Sequence, residues 1–159
     1  MPLYLSGARP SALPETGRKS ARPPRWWQTP YGRARLEAEL AAMQRFPRFR
    51  LSRSSGQLRW SGRLESGLGS GERYLVHILY PDEFPDTAPV AVIGEPTLPP
   101  GTPHLLWGNQ PCLYRPSHGA RDGYDAARTT AATLVAWTAL WIHAFETWRA
   151  TGTWPGRAE

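Results

Sequence analysis

The sequence predicts an α+β fold: an N-terminal helix, a four-stranded antiparallel meander, a cysteine-bearing loop and a long C-terminal helix. Three observations carry this reading. Apolar residues recur at helical spacing near 30–46 and again over 126–149. Between them lie four short β-rich runs separated by Gly, Ser and Pro turns. Residues 94–125 show neither period. A chain of 159 residues suits a single domain, which we expect over 26–159, preceded by a flexible arm over 1–25.

The arm is rich in Pro, Arg, Ser and Gly and has little to bury. It contains LPETG at 13–17, the form of a sortase sorting signal. Such a signal stands at a C-terminus before an apolar stretch and a basic tail; this copy has neither and is read as coincidental. In WWQTPYGRARLEAELAAMQRF, Thr29 suits a helix cap and Pro30 the first helical position. Leu36, Leu40 and Met43 form one apolar stripe, and Pro47 is expected to end the helix.

Strands are expected at FRLSRS (49–54), with Phe49 and Leu51 on one face, and at LRWSGRLE (58–65), where Leu58, Trp60 and Leu64 alternate. RYLVHILYP (73–81) is apolar on both faces, as a central strand would be, and PVAVI (89–93) follows a Pro-rich turn. Residues 94–125 hold six prolines and five glycines, and a long irregular loop in a compact domain is commonly functional. A helix is expected from Ala126 to Arg149, with Asp125 suited to its N-cap. Its stripe of Leu134, Trp137, Trp141, Phe145 and Trp148 is assigned to core packing, with Arg128, His143, Glu146 and Arg149 mostly off it. Gly152 and Pro155 then stop it.

Several classes are excluded. A net charge of +6 comes almost wholly from Arg, since Lys19 is the only lysine. The arginines are scattered and build no basic helix, so nucleic-acid binding is not expected. One cysteine rules out an internal disulfide and a Cys-cluster zinc site; it fits a reducing, cytoplasmic compartment. The four histidines show no H-x-x-x-H spacing. No run reaches the roughly 20 apolar residues of a membrane span. The N-terminus lacks the charged start and apolar core of a secretory signal.

Cys112 stands in GNQPCLYRP (108–116), at the edge of a loop rather than in an apolar run. A nucleophilic thiol needs such an accessible place, because the thiolate attacks. The polar groups near it in sequence are His104, Asn109, His118 and Asp125. His104 follows Thr-Pro and would also suit a turn; His118 reads as a solvated loop residue. His77 and His143 are assigned to packing or surface.

YPDEFPDTAPVAVI (80–93) resembles the YP-x-x-FP-x-x-x-P stretch of the ubiquitin-conjugating enzyme (UBC) family: Tyr80, Pro81, Phe84, Pro85 and Pro89 fall at its spacing. PCLY then places Cys112 and Leu113 where the family has its catalytic Cys-Leu, and Tyr124 stands where the family often has Trp before the cross-over helix. The Trp-rich last helix and the ending FETWRATGTWPG are similar to the bacterial branch, and the resemblance spans roughly 30–156. It implies the UBC-like fold and an acyl transferase that carries a protein's C-terminus as a thioester on Cys112. It also implies an adenylating activating enzyme in trans, since this chain has no nucleotide-binding glycine loop; no cofactor is expected. The donor would be a ubiquitin-like protein or, in CBASS anti-phage operons, the C-terminus of a CD-NTase-type nucleotide cyclase. The sequence leans toward the anti-phage kind.

The chain departs from the eukaryotic pattern in lacking His-Pro-Asn before the cysteine, whose Asn supports the loop or the oxyanion. His104, eight residues before Cys112, is the first candidate for that role and Asn109 the second. Two other readings stand beside the enzyme. One is a non-catalytic UBC- or RWD-like binding module, against which the thiol argues. The other is a cysteine hydrolase, which would need an oriented Cys–His pair.

Overall fold

Thr29 is a helix cap because its side chain accepts a hydrogen bond from the Gly32 amide at 3.0 Å, and Pro30 occupies the first helical position as expected. A single 3-10 turn, Trp26–Gln28, leads into this helix, α1 (Pro30–Met43). A computed structural model describes residues 22–113 and 123–156. Most of the expected arm, 1–21, lies outside the described residues; Arg25 at its end pairs with Asp82 at 2.7 Å.

Four antiparallel strands follow in meander order: β1 (Arg50–Ser54), β2 (Gln57–Glu65), β3 (Arg73–Leu79) and β4 (Val90–Glu95). The third strand is central, as its two apolar faces imply. Tyr74, Val76 and Ile78 are buried in the core, and Leu75, His77 and Leu79 are half-buried on the other face. The 94–125 region holds more order than its sequence shows: a small hairpin of β5 (Leu105–Leu106) and β6 (Gln110–Pro111). The last helix, α2 (Ala131–Thr151), packs Leu134, Val135, Trp141, Ile142 and Phe145 into the core. It ends at Gly152, whose left-handed backbone (φ 76°) lets its amide reach the Trp148 carbonyl at 2.7 Å. Helix–meander–hairpin–helix is an α+β architecture consistent with the UBC-like fold.

Four local expectations are corrected. Leu40 is not on the packed stripe of α1: it is exposed, and the inward positions are Gly32, Leu36, Glu39 and Met43. The helix ends at Met43, before Pro47, because Phe46 and Phe49 turn back through successive tight turns to meet at 6.2 Å. Asp125 does not cap α2, which starts at Ala131 with Thr130 as its N-cap. Instead its carboxylate and carbonyl hold a separate turn through the amides of Ala127, Arg128 and Thr129. Arg35 explains the break: its guanidinium draws the Ala126 and Thr129 carbonyls toward α1 at 2.8 and 2.7 Å. Glu146 is buried, where it accepts from Ser70 and Tyr74 at 2.7 and 2.9 Å. Burial alone would raise its pKa, but hydrogen bonds from Ser66, Ser70 and Tyr74, with Arg149 nearby, carry it below the ordinary glutamate value.

The centre of the fold is polar. The fully buried Glu39 accepts through Oε2 from the Tyr80 hydroxyl and from the Ala131 amide, both at 2.7 Å. Its other oxygen faces Arg35 Nε at 3.4 Å. The Tyr80 hydroxyl in turn accepts from Trp60 Nε1 at 2.9 Å. Trp26, Tyr80 and Phe84 pack around this knot in tilted and edge-to-face contacts, with ring centroids 4.7–5.3 Å apart. One carboxylate therefore joins α1, β2, the end of β3 and the first amide of α2. Burial pushes its pKa up, opposed by the Ala131 amide, Tyr80 and Arg35.

Removing the carboxylate leaves the buried Tyr80 hydroxyl and Ala131 amide without their acceptor and Arg35 without its ion-pair partner. Glu39→Ala is expected to cost about 3 kcal/mol near pH 5 in urea denaturation. The folded-state pKa lies above the unfolded value of about 4.5, so the stabilisation is complete below that value and falls as pH rises through the folded one. The deficit of the variant is therefore expected to be smaller at pH 8 than at pH 5.

Candidate active site

The β5–β6 hairpin turns through Trp107, Gly108 and Asn109, with Leu105 opposite Pro111. Gly108 (φ 75°) and Asn109 (φ 58°) supply left-handed backbone, which Asn tolerates better than most side chains. The Asn109 carbonyl accepts from the Ile93 amide at 3.0 Å, so the hairpin docks on β4. Cys112 is the residue just after β6. Its amide donates to the His104 carbonyl at 2.8 Å, and Trp141 Nε1 from α2 donates to the same oxygen at 2.9 Å. One carbonyl thus fixes the cysteine backbone to the long helix. His104 itself is left-handed (φ 53°), where the chain turns into the hairpin.

Cys112 is half-buried and lines two clefts. One, of about 240 Å³, is walled by Val90, Ala91, Leu106, Pro111 and Leu113. The other, of about 230 Å³, is walled by His104, Trp137, Leu140, Trp141 and Trp154. Among the described residues, neither cleft has an Asp, Glu, Lys or Arg in its lining. Leu106, Trp107 and Leu140 stand exposed around them. Large apolar groups exposed beside a loop thiol form a surface able to receive another chain.

The structure brings His104 and Cys112 to one cleft; the imidazole lies 4.9 Å from the Trp154 ring. Asn109 is exposed on the hairpin turn and lines neither cleft. His118, and the Tyr114 that follows Cys-Leu, lie outside the described residues. His77 is held at 2.7 Å by Ser61 Oγ, its pKa lowered by burial and Arg59, and His143 is exposed. Tyr124 donates its hydroxyl to the Pro85 carbonyl, tying the approach to α2 onto the Phe-Pro turn. Among the described residues, no cluster of three His, Cys, Asp or Glu could hold a metal. No helix among them is long and apolar enough to cross a membrane.

Sequence reasoning missed two residues of this site. Trp141 was assigned to packing, and its ring does stack on Phe145 at 5.4 Å, but its N–H holds the cysteine loop. The signal was available, since a buried indole N–H requires an acceptor. Trp154, beyond the helix end, folds back to within 5.6 Å of Trp141 and walls the cleft.

The model of the family described as type II CBASS E2 protein matches residues 39–159. The chain belongs to this family. The match begins at Glu39, the buried carboxylate of α1, and includes the sheet, the cysteine hairpin and α2. Membership makes the protein an E2-like component of a bacterial anti-phage system. In general terms, an E2 of CBASS works alongside an E1-like enzyme and the CD-NTase system. A search of curated proteins returns no match.

If the Trp141 N–H positions the cysteine, Trp141→Phe should keep the ring stack and lose the loop. The Cys112 amide is then expected to exchange about tenfold faster in hydrogen-exchange mass spectrometry, and global stability to fall by only about 1 kcal/mol.

Proposed function

We propose that Cys112 accepts a protein C-terminus as a thioester and passes it to an amine, with the CBASS nucleotide cyclase as the donor whose C-terminus is carried. A ubiquitin-like protein is the alternative donor. An adenylating enzyme in trans supplies the activated C-terminus. The observation that supports this reading is the position of the chain's single cysteine. It lies just after β6, backed by the His104 carbonyl, and lines two clefts whose described walls carry no Asp, Glu, Lys or Arg.

The chemistry needs little beyond this. In the first step the Cys112 thiolate attacks the activated carbonyl, forming the C–S bond and expelling the activating group. In the second, an amine attacks the thioester carbon, a tetrahedral oxyanion forms, and its collapse breaks the C–S bond and returns the thiolate. The amine nitrogen loses a proton to a base or to water. A thioester is already activated, so the protein's part is to orient the two chains and to offer a donor to the oxyanion. We assign that donor role to His104, which shares a cleft with the thiol. Asn109 is the second candidate, and its position on the turn supports a conformational role instead. Described cleft walls without Asp, Glu, Lys or Arg suit the task, because hydrogen bonds to a developing oxyanion strengthen as water is excluded.

Two measurements test this. The first is intact mass of the protein isolated from its host without reductant. Wild type should carry a protein-sized adduct that thiol removes; Cys112→Ser should carry a longer-lived ester, and Cys112→Ala none. The added mass identifies the donor. Absence of adduct on every form, with donor and activating enzyme shown to be present, leaves the binding-module reading in its place. The second separates the two polar candidates. His104→Ala is expected to slow transfer by about a hundredfold in single-turnover assays. Asn109→Gly keeps the left-handed turn and is expected to leave the rate within about twofold, whereas an oxyanion role for its carboxamide would cost as much as His104→Ala.

A further inference from the structure

A concavity of about 820 Å³ has a lining that does not include Cys112. It lies where β2 outruns β1. Strand β1 pairs with β2 only as far as Arg50 opposite Ser61, whereas β2 continues along β3 to Glu65 opposite Arg73. Among the described residues, Gly62–Glu65 therefore have a strand on one side only. The segment from Arg45 to Phe49 passes this open edge as tight turns and makes no backbone hydrogen bond to it. Phe49 covers Gly62 so closely that a β-carbon there would lie 2.6 Å from its ring. The lining of this groove combines apolar Phe46, Phe49 and Leu64 with Leu75 from the other face of the sheet, and it includes several arginines.

Four arginines, Arg45, Arg48, Arg63 and Arg73, line the groove against one carboxylate, Glu65. Glu65 is taken by Arg73 at 3.0 Å and Arg63 is paired with Glu95 at 2.8 Å, whereas Arg45 and Arg48 are exposed and have no carboxylate partner among the described residues. An open sheet edge binds extended peptide by main-chain hydrogen bonds, with alternate side chains reaching opposite sides.

We propose that this groove binds an extended acidic segment of a partner protein, added as a short strand beside Gly62–Glu65, with its carboxylates on Arg45 and Arg48. Charge decides the occupant. The chain's own residues 1–21 carry Arg9, Arg18 and Lys19 against Glu15 alone, and a second copy brings a net charge of +6; both are repelled. The strand edge, and Glu65 within the lining, favour a peptide over a phosphate backbone. Strands β3 and β4 separate this edge from the cysteine hairpin, so a partner can be held while Cys112 is occupied.

The test uses the full chain and a fluorescein-labelled peptide of alternating Glu and Val, read by anisotropy. A peptide of alternating Gln and Val and a short DNA duplex are the comparisons. The acidic peptide should bind at least about tenfold tighter than the uncharged one, and salt should weaken it. Arg45→Glu/Arg48→Glu, both exposed changes, should cost at least about tenfold. Backbone amide signals of Gly62–Glu65 should shift on titration with the peptide. Equal binding of the uncharged peptide, or unchanged affinity in the double variant, overturns the proposal. Amide shifts confined to other residues overturn it too. Tighter binding of the duplex, lost in the same variant, would replace the acidic peptide with nucleic acid.

Discussion

Glu39 brings a carboxylate into the centre of the molecule, and the rest of the structure is arranged around its partners. A charge there is costly unless its acceptor sites are filled. Oε2 is satisfied by groups from distant parts of the chain, the Tyr80 hydroxyl at the end of β3 and the first amide of α2, while Oε1 faces Arg35, one turn earlier on α1, as an ion pair at 3.4 Å without a hydrogen bond. The Ala131 amide is one of the orphan donors at a helix start, so the carboxylate also satisfies a need of α2 and lies at the favourable end of its dipole. Arg35 completes the arrangement by holding the Ala126 and Thr129 carbonyls, which fixes the turn that aims α2 across the sheet.

From that anchor the position of the thiol follows by short steps. Trp141 lies ten residues along α2 from Ala131, about 15 Å down the axis. Its indole N–H meets the His104 carbonyl, and that carbonyl holds the Cys112 amide. On the other side, the Asn109 carbonyl ties the hairpin to β4. The cysteine loop is thus clamped between the helix and the sheet by hydrogen bonds to backbone carbonyls.

The Tyr-Pro/Phe-Pro stretch meets this anchor directly. Tyr80 is the hydrogen-bond partner of Glu39, Phe84 closes the aromatic cage over it, and Arg35 lies 5.1 Å above the Phe84 ring. Tyr124 bonds to the Pro85 carbonyl and so brings the start of the cross-over to the same turn. These residues shape the scaffold, and their bearing on Cys112 is through α2.

The order of elements, the four strands, the Thr29–Pro30 helix start and the Gly152 stop were legible in the sequence, because each depends on local periodicity, capping or backbone freedom. The place of Cys112 at a loop edge was legible too, from the polar, Pro- and Gly-containing stretch around it. What the sequence left undecided depends on pairing between distant residues. Leu40 and Glu39 are neighbours on one helix, and only the presence of Tyr80 and Ala131 opposite determines that the acid turns inward and the leucine outward. His104 and Asn109 were both polar residues near Cys112 in sequence. The hairpin register puts the first in its cleft and the second on a turn. Trp141 looked like core because its ring is core; its N–H became part of the site only when a carbonyl 37 residues away folded against it. Local chemistry fixes elements, but a buried polar group is placed by its partner, and partners meet only in the tertiary structure.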